Sequence, residues 1–141
     1  MGYTLYATNS THSFDGGMGG FMNLRINIAK AWDKEFGEHY ATLAYCLCAD
    51  DYKTFDVIAN KILSDKRFKD EDADILDFLF ASDCGGEISH KTCKKIYNLI
   101  KDIDFGGKIF TYGAHSDGKD YEKFKEFLLE CYRYHRKMRW E

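Results

Sequence analysis

Proline is missing from this chain altogether. Its absence removes the commonest signal of a linker and suits helices joined by glycine turns. No apolar run approaches the roughly 20 residues that a membrane-spanning helix needs, so no membrane segment is expected. Charge of one sign is scarce as well. Against 23 acidic side chains stand 20 basic ones, a net charge of -3, which gives no global reason to expect nucleic acid or an anionic membrane as partner. The five cysteines are an odd number and no apolar amino-terminal signal segment precedes them. A secreted disulfide framework is therefore not expected, and a reducing cytoplasm is.

Rings are plentiful: ten Tyr, eleven Phe and two Trp in 141 residues that are 45% hydrophobic. Such a chain can bury a core within one compact domain, residues 1–141, and still has aromatic side chains left for its surface, where each is a contact candidate.

The chain is organised around Phe78 to Ile100, FLFASDCGGEISHKTCKKIYNLI, where an apolar helix end meets a tight polar loop and a second helix begins. Gly85 and Gly86 are expected to take positive φ and close the first helix, Ile88 to point into the core and Ser89 to cap the next helix. Tyr3 to Ala7 alternates like a short strand. A polar, glycine-rich loop follows over residues 8–20, and helical spacing of Leu24, Ile28, Ala31 and Trp32 predicts a helix from Phe21 to near Gly37. His39 to Cys48 fits either a buried helix or a buried strand, with Ala and Leu favouring helix. Asp50 and Asp51 mark a helix start, and the stripe Phe55, Ile58, Ala59, Ile62 and Leu63 carries that helix to Ser64.

Further helices are expected over 69–81, with acidic residues at its start, 89–101 and 121–136. Residues 108–112, KIFTY, read as a second strand that pairs with the first. The expected fold class is α+β, mainly α, with about five to six helices and a small two-stranded sheet.

Asp15 to Gly20, DGGMGG, lies between a predicted strand and a predicted helix, and a helix start can hold an anion with its free N–H groups. It lacks the ending of a phosphate-binding loop and the spacing of a dinucleotide fingerprint. Two readings stand: a flexible reversal of the chain, or the wall of a pocket for a phosphate-bearing or peptide ligand. The residues of the second are His12, Ser13, Asp15, Gly16, Gly17, Gly19, Gly20 and Arg25.

The loop around Asp83, Cys84 and Glu87 has the Gly-x-Ile order of half an EF-hand. Its register puts Ala81, Asp83, Gly85 and Thr92 where a calcium loop wants oxygen donors and a final bidentate carboxylate, so no metal is expected. Cys46, Cys93 and Cys131 fall on apolar stripes as buried thiols. Cys84 is the loop cysteine, and a nucleophilic role for it would need a base, with His90 and His115 the only obvious choices. His115, Ser116 and Asp117 are contiguous and read as a turn, not as a triad. With no catalytic signature and no cofactor motif, neither is expected. A basic, ring-interleaved tail holds Arg133, Arg136, Lys137 and Arg139. It reads as a solvated helix end whose cations complement the dipole, with nucleic acid binding as the other use of that pattern.

The opening GYTLYATN, the segment SDCGGEIS and Cys93 beyond it resemble a group of small uncharacterised proteins of bacteria and their phages that carry an SDCDGE-like motif before a helix. This chain has Gly85 where that motif commonly has Asp. The resemblance implies a bacterial or phage origin, hence the cytoplasm of a bacterial host, and the habit of small phage accessory proteins of binding a host defence component. The expected function is a non-enzymatic binding protein, an inhibitor of a bacterial host protein; the alternative is a sponge for a small molecule or nucleotide signal, bound through the glycine-rich loop.

Overall fold

The computed structural model describes residues 2–64, 73–112 and 119–141, apart from the side chains of Cys48 and Leu63. Its described residues form six helices and one four-stranded antiparallel sheet. The strands are β1 (Gly2–Tyr6), β2 (Ser13–Gly17), β3 (Gly86–Ile88) and β4 (Met138–Trp140), in the order β2-β1-β4-β3. The helices are α1 (Met18–Trp32), α2 (Lys34–Cys48), α3 (Tyr52–Leu63), α4 (Ala73–Phe80), α5 (His90–Ile100) and α6 (Asp120–Arg133). The α+β, mainly helical class is as the sequence implies.

The sheet has one apolar face, as period-2 alternation dictates. Leu5 lies opposite both Phe14 and Trp140, and all three are buried with Tyr3, Ile88 and Met138. Polar pairs occupy the other face. Thr4 Oγ1 donates to Asp15 Oδ1 at 2.7 Å, and Arg139, opposite Glu87 in the register, reaches its carboxylate at 3.4 Å. Against the apolar face lies α1, whose Phe21 is stacked with Tyr3 at 4.8 Å between ring centroids and tilted against Trp140 at 5.8 Å.

Three helix starts show their sequence logic. Asp33, in extended backbone, ends α1 and caps α2 by accepting from Phe36 N at 2.9 Å. Asp51 accepts from Thr54 N, and Ser89 from Thr92 N, satisfying first-turn donors in the usual way. Residues 39–48 are helix, within α2. The break at Asp33 corrects the expectation of one helix reaching Gly37. That glycine lies inside α2, where an added Cβ would stand 2.4 Å from Lys30 Cα, so it sets how closely α1 and α2 cross.

The sheet differs most from expectation. Residues 108–112 form no strand; they bend at Phe110 and Thr111 and are held at a few points. Tyr112 N donates to Asp15 O, Phe110 N to Asp120 Oδ2, and the Tyr3 hydroxyl to Phe110 O. The partner of β1 on one side is instead β2, drawn from the glycine-rich stretch, and on the other β4, drawn from the basic tail. The last helix accordingly stops at Arg133, not at Arg136.

Three buried phenols make the fold sensitive to alkali. Burial pushes Tyr40 and Tyr121 up to about 12, and pushes Tyr3 up as well, helped by Tyr121 and Asp120 close by. A raised folded-state value means stability that is complete below pH ~10, where unfolded tyrosines titrate, and lost above it. The midpoint of urea denaturation is expected to decline steadily as the buffer is taken from pH 10 to pH 12. Tyr40→Phe should shallow that decline.

Candidate functional site

The turn after α4 is where four elements converge. A helix end leaves carbonyls without intrahelical partners, and here one in the last turn of α4 and two just past it receive donors from distant elements. Tyr40 Oη of α2 donates to Leu79 O at 2.7 Å, Arg25 Nη1 of α1 to Ala81 O at 2.9 Å, and Trp140 Nε1 of β4 to Ser82 O at 2.8 Å. Cys84 N in turn donates to Ser82 Oγ at 3.1 Å. The SDCGG stretch thus organises its surroundings, though by a different device from the one its composition suggests. Neither Gly85 nor Gly86 has positive φ, and Gly86 opens β3. Gly86 is glycine because a Cβ would sit 2.3 Å from the Trp140 ring.

Arg25 is the electrostatic centre. Its side chain is almost wholly buried, and Nη1 also donates to Asp83 Oδ1 at 2.8 Å. The guanidinium carbon lies 4.1 Å from the Phe21 ring centroid, 5.4 Å from Phe78 and 5.9 Å from Trp140, a cation–π setting that offsets part of the cost of desolvation. Burial lowers its affinity for the proton, opposed by the neighbouring Tyr40 and Asp83. Asp83 is half exposed, so the pair is not a sealed one. Nε and Nη2 are buried without a hydrogen-bond partner.

That guanidinium lies in the wall of a cavity of about 410 Å³ between α1, α2, α3 and the turn after α4. Met18, Gly19 and Met22 contribute one side and Tyr40, Leu43 and Leu47 another, with Phe55 and the segment 79–83 also in the wall. Leu47 and Phe80 are more than half exposed, and Tyr45 and Tyr52, on the helices that line the cavity, are exposed too.

The residues singled out in sequence are distributed as follows. Arg25, Gly19 and Asp83 meet at the cavity. Asp15 faces the opposite side of the sheet on Thr4, and Ser13 is exposed in β2. His12 is held by α6: its Nδ1 lies 2.9 Å from Glu130 Oε2, and Glu130 also binds Arg136 Nη1 at 2.7 Å. Added Cβ atoms at Gly16 and Gly20 would stand 2.6 and 2.3 Å from Phe110 O, so these two glycines admit a backbone, whereas Gly17 and Gly19 have nothing within 4 Å.

The basic tail is divided among acidic partners. Glu87 takes Lys137 at 3.3 Å and Arg139 at 3.4 Å, while Arg133 is exposed at the end of α6. Cys84 is exposed and no hydrogen bond joins it to a base among the described residues; His90 stacks on His135 at 4.4 Å instead. Slight desolvation, with His135 and Lys91 nearby, lowers the His90 pKa. His115, Ser116 and Asp117 lie outside the described residues. Cys46, Cys93 and Cys131 are buried thiols, and the Cys93 thiol is held protonated by its hydrogen bond with Cys131 and by burial.

Sequence reading missed the cavity walls, because Leu43, Leu47, Phe55 and Phe80 carry the same helical spacing as core residues. Only their convergence on one cavity in three dimensions separates them. Comparison with protein-family models, curated proteins and solved structures finds no match to this chain.

Proposed function

We propose that this chain is a non-enzymatic binding protein and that the cavity beside Arg25 is where it binds. The observation that carries this reading is the buried, half-satisfied guanidinium in an otherwise apolar wall with exposed rings around it. Unpaired buried donors cost stability, and an apolar pocket with a few placed polar groups is the usual form of a ligand site. Acid–base or nucleophilic chemistry finds less support, since Arg25 and Asp83 at the cavity are paired with each other and the Tyr40 and Ser82 hydroxyls are engaged with the backbone.

Two classes of partner fit. The sequence favours a bacterial host protein, with the chain acting as a phage or mobile-element factor that blocks a defence component in the host cytoplasm. Exposed Tyr45, Leu47, Tyr52 and Phe80 suit that use. The other class is a small molecule, the sponge reading, which the unpaired Arg25 hydrogens favour and which moves the ligand from the glycine-rich strand to the cavity at the head of α1.

Both make the same first test. A tryptophan at Ala44 fills the cavity from the α2 side. The wild-type protein is expected to enhance anilinonaphthalene sulfonate fluorescence with single-site saturation, and Ala44→Trp to abolish it at unchanged helicity. Equal enhancement by the two proteins overturns the placement. For the host-protein reading, co-migration with a purified bacterial defence protein on a sizing column should be lost in Phe80→Asp; failure to co-migrate with any such protein counts against it.

A further inference from the structure

From the chemistry of the wall we infer that the cavity takes a single-chain organic acid, an apolar tail carrying one carboxylate. The inference rests on the cavity being the binding site and adds what the occupant is.

A guanidinium presents two forks to carboxylates, and Asp83 uses only the Nη1 side of this one. The two atoms left unpaired, Nε and Nη2, are the pair that together form the side-on fork, which matches the two oxygens of a carboxylate. Neither has exposed surface, towards the cavity or towards solvent, so an acceptor reaches them only when a neighbouring group moves. A ligand carboxylate supplies two acceptors at once and leaves the Asp83 contact in place. The Tyr40 hydroxyl lies beside the guanidinium as its acceptor while donating to Leu79 O, so the ligand head takes over the place of that hydroxyl.

A second feature has the same sign. Helix α1 opens at this cavity with Met18 and Gly19 in its wall; its N-cap, Gly17, offers no side-chain cap, and no acidic residue lies in its first turn. The positive end of this 15-residue helix therefore has no acid of its own and lies in the same wall as Arg25, two turns along. The remaining walls are aliphatic and aromatic, which suits a hydrocarbon body. A dianionic phosphate head fits less well, because Asp83 is within hydrogen-bond reach of the same guanidinium and repels a second full charge.

The test uses decanoate, decanol and decyltrimethylammonium against the full chain by isothermal titration. Decanoate is expected to bind about tenfold or more tighter than decanol, the ratio that charge-assisted hydrogen bonds supply, and the ammonium compound weakest. In Arg25→Met the ratio should fall to about one while decanol binding persists. Asp83→Asn, which needs no change at the arginine, should tighten decanoate several-fold and leave decanol unaltered. Ala44→Trp should remove both. If decanoate and decanol bind alike to the wild type, the acid is overturned and the cavity reading stands. If neither binds, or if binding survives Ala44→Trp, both are overturned.

Discussion

Replacing Trp140 by alanine is expected to be the most destabilising single truncation in the sheet. The ring is 2% exposed and packs on Phe21 at 5.8 Å and Phe78 at 5.5 Å, with Gly86 flat beneath it and Arg25 over it. Its Nε1 is also the donor to Ser82 O, so truncation opens a void and orphans a carbonyl in the turn after α4. Tryptophan-to-alanine changes in cores cost about 3–5 kcal/mol. At roughly 3 °C per kcal/mol for a domain of this size, the melting temperature should drop by about 10–15 °C in a calorimetric scan. A drop under about 3 °C would show that Trp140 is not the core element described. Trp140→Phe keeps most of the packing and loses the donor, and should fall between the two.

The second large effect is a reversal of sign between adjacent positions. Glycine-to-alanine within a helix ordinarily stabilises by up to about 1 kcal/mol, and Gly19→Ala is expected to do so because nothing lies within 4 Å of the new methyl. Gly20→Ala, one residue on, should destabilise by about 1–3 kcal/mol. The methyl would meet Phe110 O at 2.3 Å, and Phe110 cannot retreat easily, since Tyr3 and Asp120 hold its carbonyl and its amide. Chemical denaturation of the two variants side by side gives the comparison directly. Equal shifts would mean that residues 108–112 do not lie against α1 as described.

These two experiments also mark the border of what the amino-acid order reveals. Helices announced themselves, because capping residues such as Asp51 and Ser89 act within four positions and apolar stripes repeat every turn. Strands did not. In β2, SFDGG has the composition of a turn, and its glycines make sense only once Phe110 and Tyr3 are seen pressed against Gly16. In β4 the alternation Met138 in, Arg139 out, Trp140 in is too short to stand out from a basic run. Conversely KIFTY has strong strand propensity and is no strand, since β2 already occupies that edge of β1 and residues 108–112 are pinned by single bonds instead.

At the candidate site, Arg25 and Asp83 were each conspicuous alone; that they belong to one ion pair across 58 positions is a property of the packing of α1 on the turn after α4.

The position of β4 has a consequence for how the molecule forms. The middle seam of the sheet joins Leu5 to Trp140, almost the whole chain apart, and β3 has no other described strand to pair with. During synthesis the early hairpin and the helices can gather first, but the sheet stays in two pieces until residue 140 has left the ribosome. The loop that must close is long, so this step should be late and slow relative to helix formation. Until then Arg25 lacks its indole neighbour and Ser82 its donor, so the turn after α4 is secured only once β4 has docked.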